Sequence, residues 1–217
     1  MLGELKNRLG IRVPDGFVVT TRAYEQFFQA SGLREEMNRL VQSAELRDVD
    51  GLHALSVRLR KLIVETDLPE DIADAIVSGW RSLAGRVEGR PAVAMRSSAL
   101  GEDAAGSSFA GQYHSELNVG PEDILDAYKA VVAGKYNLQA MVYRLNRGLR
   151  DEDVPMAVGC LQMMDAVAGG VAYSRNPVDG AEDAVIINSV WGLPKAVVDG
   201  TAPCDLFAMG RGKTPAL

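Results

Sequence analysis

Apolar positions in the first part of the chain recur every three to four residues, the spacing of one helix face. "LGELKNRL" follows that spacing, and "GIRVPDGFVVTT" breaks it with Pro14 and Gly16 before a β-branched run that predicts a strand. Thr21 is expected to cap a helix through "RAYEQFFQASG", with Tyr24, Phe27 and Phe28 on one face and Gly32 as its stop. Further on, Leu52, Leu55, Leu59 and Leu62 make one apolar stripe, and Ile72, Ile76, Trp80 and Leu83 make another behind Pro69. This half of the chain reads as a helical layer.

From Pro91 the period shortens. "PAVAM" is apolar and bounded by turn residues, which predicts a buried strand with Arg96 at its end. After the Gly/Ser-rich segment "RSSALGEDAAGSSFAGQ", the stretch "QYHSELNV" alternates. Tyr113, Ser115, Leu117 and Val119 fall on one side, and His114, Glu116 and Asn118 on the other, as in a returning strand. Helices are expected from Pro121 to Gly134 and over "KYNLQAMVYRLNRG", followed by an exposed acidic turn, "RDEDVP". "MAVGCLQMM", "GGVAYS", "DAVIINSVW" and "PCDLFAM" read as strands, with one helical turn in "GLPKAVVDG". Helices and strands come in blocks, so the expected class is α+β. No repeat or low-complexity segment interrupts them.

Composition narrows the function. The 217 residues carry a net charge of −6, which argues against a general nucleic-acid or membrane surface and leaves any anionic ligand to a few local cations. No window of eighteen apolar residues and no apolar leader occurs, so the chain reads as cytoplasmic. Cys160 and Cys204 lie far apart without metal-ligand spacing and are expected to be buried free thiols.

Several motifs fall away on inspection. "GRGKT" has Phe207 where a phosphate-binding P-loop needs its first glycine, and too few residues follow Thr214 for the helix. His53 and His114 have no partner suggesting a metal site, and "GSSFAG" lacks the spacing of a nucleophile elbow. The Gly/Ser-rich segment is better suited to chemistry. Phosphate is held by a guanidinium fork, hydroxyl donors and backbone N–H groups left open by small side chains. Arg96, Ser97, Ser98, Gly101, Gly106, Ser107, Ser108, Ala110 and Gly111 supply all three, although Glu102 and Asp103 would repel phosphate unless turned away. By composition alone a mobile surface loop is the commoner reading of the same segment.

"AVAMRSSALGED" followed by "SSFAGQYHSELNV" resembles the signature of the N-terminal nucleotide-binding domain of the phosphoenolpyruvate synthase and pyruvate phosphate dikinase family. "RVPDGFVVTTRAYEQFF", "LQMMDAVAGGVAYSRNPVDG" and "INSVWGLPKAVVDGTAPCDLF" resemble further blocks of that family in the same order, spanning residues 13 to 207. Rifampin phosphotransferase shares the domain.

The resemblance implies an ATP-grasp fold, α+β with helical layers on mostly antiparallel sheets, in which two subdomains close on ATP. Expected divisions are residues 1–150, with the helical insert and phosphate loop, and 151–217, a β-rich piece with the adenine hinge. Arg96 would contact the ATP phosphates as the catalytic residue. Ser97, Ser98, Ser107, Ser108, Gly111 and Gln112 would belong to the lid above them, while Gln162, Met163 and Met164 would read and pack against adenine. In the family this domain passes phosphoryl from ATP to a histidine on a swivelling domain, which carries it to pyruvate on a third.

Neither His53 nor His114 sits in such a histidine motif, so both partner domains would lie outside this chain, as would the ligands for Mg2+. A phosphate-binding Gly-Gly-Lys ahead of "LGEL" and acidic residues beyond "GKTPAL" are likewise not among these residues, which reads as trimming at both ends. Asn188 stands where many members have glutamate, and Pro194 with Lys195 replaces a Gly-Glu pair. A degenerate ATP-binding sensor or docking module is therefore the alternative to a phosphotransferase.

Overall fold

A computed structural model describes residues 2–44, 49–87, 91–99, 113–178 and 183–211. In order along the chain the elements are α1 (Leu2–Leu9), β1 (Gly16–Val19), α2 (Thr21–Ala30), α3 (Leu33–Ser43), α4 (Val49–Glu65) and α5 (Glu70–Ala84). After these come β2 (Val93–Ala99), β3 (Ser115–Val119), α6 (Ile124–Ala133), α7 (Leu138–Asn146), β4 (Met156–Gln162), β5 (Ala168–Tyr173), β6 (Ala184–Trp191), α8 (Lys195–Val198) and β7 (Asp205–Gly210). Short 3-10 turns occupy Gly134–Tyr136 and Asp151–Asp153. The fold is α+β, as the blockwise pattern implied.

Two compact units divide the chain, Met1–Met163 and Met164–Leu217. In the first, an antiparallel sheet runs in the order β1-β4-β2-β3. β4 lies between two strands that precede it by many residues, so this unit runs past residue 150 to the end of β4. Alternation sorts the sheet into two faces. Val93 and Met95 of β2 and Val158 and Cys160 of β4 are fully buried on one face, where α2, α5 and α6 pack.

The helices bury the stripes that their spacing announced. Leu55, Leu59 and Ile63 of α4 and Ile72, Ile76 and Leu83 of α5 enter one core with Phe27, Phe28 and Tyr128. Leu52, Leu62 and Trp80 lie at its margin, half-buried. Each fully buried aliphatic side chain removes enough apolar surface from water to contribute roughly 1.5–3 kcal/mol, before the entropy of ordering it is subtracted.

Several boundaries differ from the expected ones. Thr21 is the first residue of α2, and the N-cap is Thr20, whose side chain makes no capping hydrogen bond. Gly32, at φ 65°, ends α2 and is the N-cap of α3, a left-handed conformation that costs glycine little. The helix expected from Pro121 starts at Ile124. The next begins only at Leu138, where the Asn137 side chain accepts the Ala140 N–H at 2.7 Å. Most consequentially, β2 continues to Ala99, so Arg96 sits in mid-strand. Cys160 is buried as expected, but Cys204 is exposed.

In the second unit β5, β6 and β7 form an antiparallel sheet with β6 in the centre. The Gly169–Gly170 pair permits its close packing: a Cβ on Gly170 would lie 2.1 Å from the Asn188 carbonyl oxygen. Pro194, at the start of α8, lies against Gly169. Among the described residues no helix is long and apolar enough to cross a membrane.

Candidate functional site

Arg96 projects from the sheet face opposite the helices. Its strand alternates buried Val93 and Met95 with exposed Arg96 and Ser98, so neighbouring side chains point to opposite sides. Across the ladders, Arg96 pairs with Gly159 of β4 and with Ser115 of β3, and Gly159 pairs in turn with Val18 of β1. One row therefore crosses all four strands in the order Ser115, Arg96, Gly159, Val18. Ala94, Ser98 and Ala157 belong to the adjoining rows on the same face. Val18 is 61% exposed there.

The row sets one long cation beside Ser115 and Gly159, with Val18 and, in the adjoining row, Leu161 as larger apolar side chains of the same face. Among the described residues Arg96 has no ion-pair partner. Among the described residues a Cβ built on Gly159 would meet only the Arg96 carbonyl oxygen, at 3.8 Å. An exposed guanidinium flanked by hydroxyls, on a face with apolar side chains, is suited to an anion carrying an apolar group.

The two serines after Arg96 part company. Ser98 shares the Arg96 face, whereas Ser97 pairs with buried Val158 and turns toward the helix side. Ser107, Ser108, Gly111 and Gln112 lie outside the described residues. Gln162 ends β4 and Met163 follows it, and their N–H groups donate to the carbonyls of Asp15 (2.8 Å) and Ala92 (2.9 Å). Those two amides are thus committed. Met164, the first residue of the second unit, is 53% exposed.

In the second unit Trp191 and Phe207 lie on the face opposite Gly169 and Pro194, and Trp191 is 84% exposed. Asn188 sits mid-sheet between Val171 and Leu206. Lys195 forms a salt bridge with Asp199 one helical turn on, so its charge is balanced locally.

A second polar centre lies on the helix side of the first unit, and sequence reading passed over it. Lys135 is 0% exposed, and its Nζ donates to the Tyr24 hydroxyl (2.9 Å) and the Asp151 carbonyl (2.8 Å). It also pairs with Asp151 Oδ1 at 3.0 Å. The Tyr136 hydroxyl donates to Asp151 Oδ2 at 2.8 Å, and Arg144 donates to the Lys135 carbonyl. Asp151 thus ties the acidic turn, which is exposed as expected, onto the helices just ahead of β4. Burial brings the Lys135 ammonium down to about 8 against the pull of Asp151, and it drives the Tyr136 hydroxyl well above its ordinary value. A cavity of about 430 Å³ lined by Phe28, Met37, Leu55, Tyr136 and Arg144 adjoins this network, away from the Arg96 face. No motif announces a buried lysine; "GKY" reads like any surface turn.

Comparison with known proteins agrees with this architecture. The chain belongs to the family described as pyruvate phosphate dikinase, AMP/ATP-binding domain, which matches residues 1–217. That domain is of the ATP-grasp type, as the ordered sequence blocks implied.

Among individual relatives, a probable phosphoenolpyruvate synthase of Methanothermobacter thermautotrophicus is 35% identical over 213 residues, covering 97% of this chain and 31% of the relative. The phosphoenolpyruvate synthase of Helicobacter pylori is 35% identical over 213 residues, 95% of this chain and 26% of its own length. The rifampicin phosphotransferase of Streptomyces sviceus is 36% identical over 216 residues, 99% and 24% respectively. The chain thus spans less than a third of the length of these relatives.

Proposed function

We propose that this chain is the ATP-holding part of a cytoplasmic phosphotransferase similar to phosphoenolpyruvate synthase, and that Arg96 grips the nucleotide phosphates. The observation that carries the reading is an exposed arginine with no ion-pair partner among the described residues, on the sheet face opposite α2, α5 and α6 in a family ATP-binding domain. Phosphoryl transfer asks of a protein chiefly position and charge neutralisation, and a guanidinium beside developing phosphate charge supplies both. Ser98 adds a hydroxyl on the same face. Ser107, Ser108, Gly111 and Gln112 are assigned to the covering segment, whereas Ser97, on the helix side of β2, is left out of it. At Gln162–Met164 the committed amides leave adenine recognition to carbonyl oxygens, to the Met164 N–H and to the methionine side chains.

The onward path would run from ATP to a histidine on a swivelling domain and then to pyruvate on a third domain. Likeness to phosphoenolpyruvate synthases over nearly the whole chain supports that path. A rifampicin-type acceptor is the second reading, favoured by the Streptomyces sviceus relative. Mg2+ accompanies ATP in this chemistry. Among the described residues, however, no group of three or more His, Cys, Asp or Glu side chains could hold a metal, so no step is assigned to a metal here.

Calorimetric titration with ATP tests the reading. Arg96→Ala is expected to weaken binding by about 1.5–3 kcal/mol, the scale of a hydrogen bond to a charged group. Equal affinities for the two proteins would defeat it.

A further inference from the structure

We infer that the cavity on the helix side of the first unit is a binding site for a small organic carboxylate with an apolar tail, its head held by Arg34. The site lies away from the Arg96 face and does not depend on the ATP-binding reading.

Helices α2, α3, α4 and α7 line the cavity, and its volume of about 430 Å³ is in the range that takes a small organic ligand. Phe28 of α2, Met37 of α3, and Leu55 and Leu59 of α4 form a buried apolar wall. Val41 of α3 and Leu145 of α7 belong to the same lining and are 42% and 60% exposed, so the apolar surface reaches water there. A hydrocarbon tail laid along this wall takes both side chains out of water, which is the driving force for its binding.

The charged part of the lining decides the head group. Arg34, Arg144 and Arg150 face the carboxylates of Asp151 and Glu152. Most of these groups already have partners: Asp151 takes Lys135 and the Tyr136 hydroxyl, Arg144 donates to the Lys135 carbonyl, and Arg150 pairs with Glu152 at 2.6 Å. Arg34 differs. It is half-buried and, among the described residues, makes no hydrogen bond or ion pair. Its charge bears instead on another cation, the buried Lys135, whose proton affinity it lowers together with Arg144. An anion at Arg34 offsets that like-charge crowding, and a carboxylate fits the guanidinium fork. With three guanidinium groups against two carboxylates, the lining suits a singly charged head better than a doubly charged phosphate. Arg34 also lines a smaller cavity of about 180 Å³, where Glu25, Asp151 and Glu152 repel an anion, so the head enters from the apolar side.

The experiment titrates octanoate, octanol and acetate calorimetrically into the unaltered chain, Arg34→Gln, Arg34→Lys and Val41→Trp, each first shown to melt cooperatively. Octanoate is expected to bind the unaltered chain. Octanol lacks the charged head and acetate the tail, and each should bind at least about tenfold more weakly. Arg34→Gln should weaken octanoate about ten- to hundredfold, the range for a hydrogen bond between charged groups. Arg34→Lys keeps the charge without the fork and should lose less. Val41→Trp obstructs the apolar edge and should weaken octanoate with Arg34 intact. ATP affinity should be the same in all four proteins, because none of the changes touches the Arg96 face.

No octanoate binding by the unaltered chain overturns the inference outright. Equal affinities for octanoate and octanol would make the cavity a general apolar site and remove the carboxylate from it. Unchanged octanoate affinity in Arg34→Gln would overturn the role of Arg34 and the inference with it. Sedimentation of the same samples covers the remaining occupant: a dimer that Leu145→Glu dissociates and octanoate leaves intact would give this surface to a second copy of the chain, which also overturns it.

Discussion

Gly159 lies directly across the β2–β4 ladder from Arg96, on the sheet face opposite α2, α5 and α6. Among the described residues nothing crowds the glycine, since a Cβ there would meet only a carbonyl oxygen at 3.8 Å. What its missing side chain provides is space beside the guanidinium. Gly159→Val should fill that space at no cost to the fold, because β-branched residues suit strands. The expected outcome is weaker ATP binding with an unchanged or raised melting temperature. Unaltered ATP affinity would show that no ligand uses the space.

The adjacent serines provide an internal control. Ser98→Ala is expected to reduce ATP affinity by about 0.5–1.5 kcal/mol, the net scale of an ordinary hydrogen bond. Ser97→Ala, on the opposite face, should leave it alone. A reversed order of effects in the same titration would mean that β2 does not present the face assigned here.

Lys135 makes stability depend on pH in a definite direction. Burial lowers its ammonium from the ordinary 10.5 to about 8, so between those values the unfolded chain binds more protons than the folded one. Stability therefore rises with pH across that window through this group. The buried Cys160 thiol, raised to about 12, acts oppositely above about 9. Lys135→Met leaves that thiol in place, so the difference between the two proteins isolates the lysine. Urea unfolding at pH 7.5 and 9.5 should show the unaltered protein gaining on Lys135→Met as pH rises. A constant difference would remove the lysine from the account.

Core and surface positions on neighbouring helices should separate cleanly. Ile76 is 1% exposed, and Ile76→Ala is expected to cost about 2–5 kcal/mol through lost burial and the cavity left behind. Val57, exposed on α4, should change stability by no more than about 0.5 kcal/mol on replacement by alanine. Denaturant midpoints for the two variants check the contrast.

Much of the fold was legible because it depends on short-range pattern. Leu55, Leu59, Ile72, Ile76 and Leu83 recur at helical spacing and are buried accordingly. Arg96 could be singled out because an arginine following an apolar strand beside a Gly/Ser-rich segment is chemically suggestive on its own. The arginine's neighbours were not legible. Gly159 and Val18 come to its row from strands far away in sequence, and a register shift between the Val93–Val119 and Met95–Glu116 pairs puts Ser115 and Glu116 on the sides opposite to those that simple alternation along "QYHSELNV" gives.

The amino-acid order by itself determined the helix stripes, the strand segments, the α+β class and the family, because periodicity and ordered motifs are properties of neighbouring residues. Tertiary structure alone decided that β4 would lie between β1 and β2, that Ser98 and not Ser97 would share the arginine's face, and that Lys135 would be buried against Asp151. It also decided, through that shift in the register of β3, that Ser115 would stand opposite Arg96. Those outcomes depend on strand register and long-range packing, and a one-residue shift in register changes which side chain faces which while leaving every local pattern unchanged.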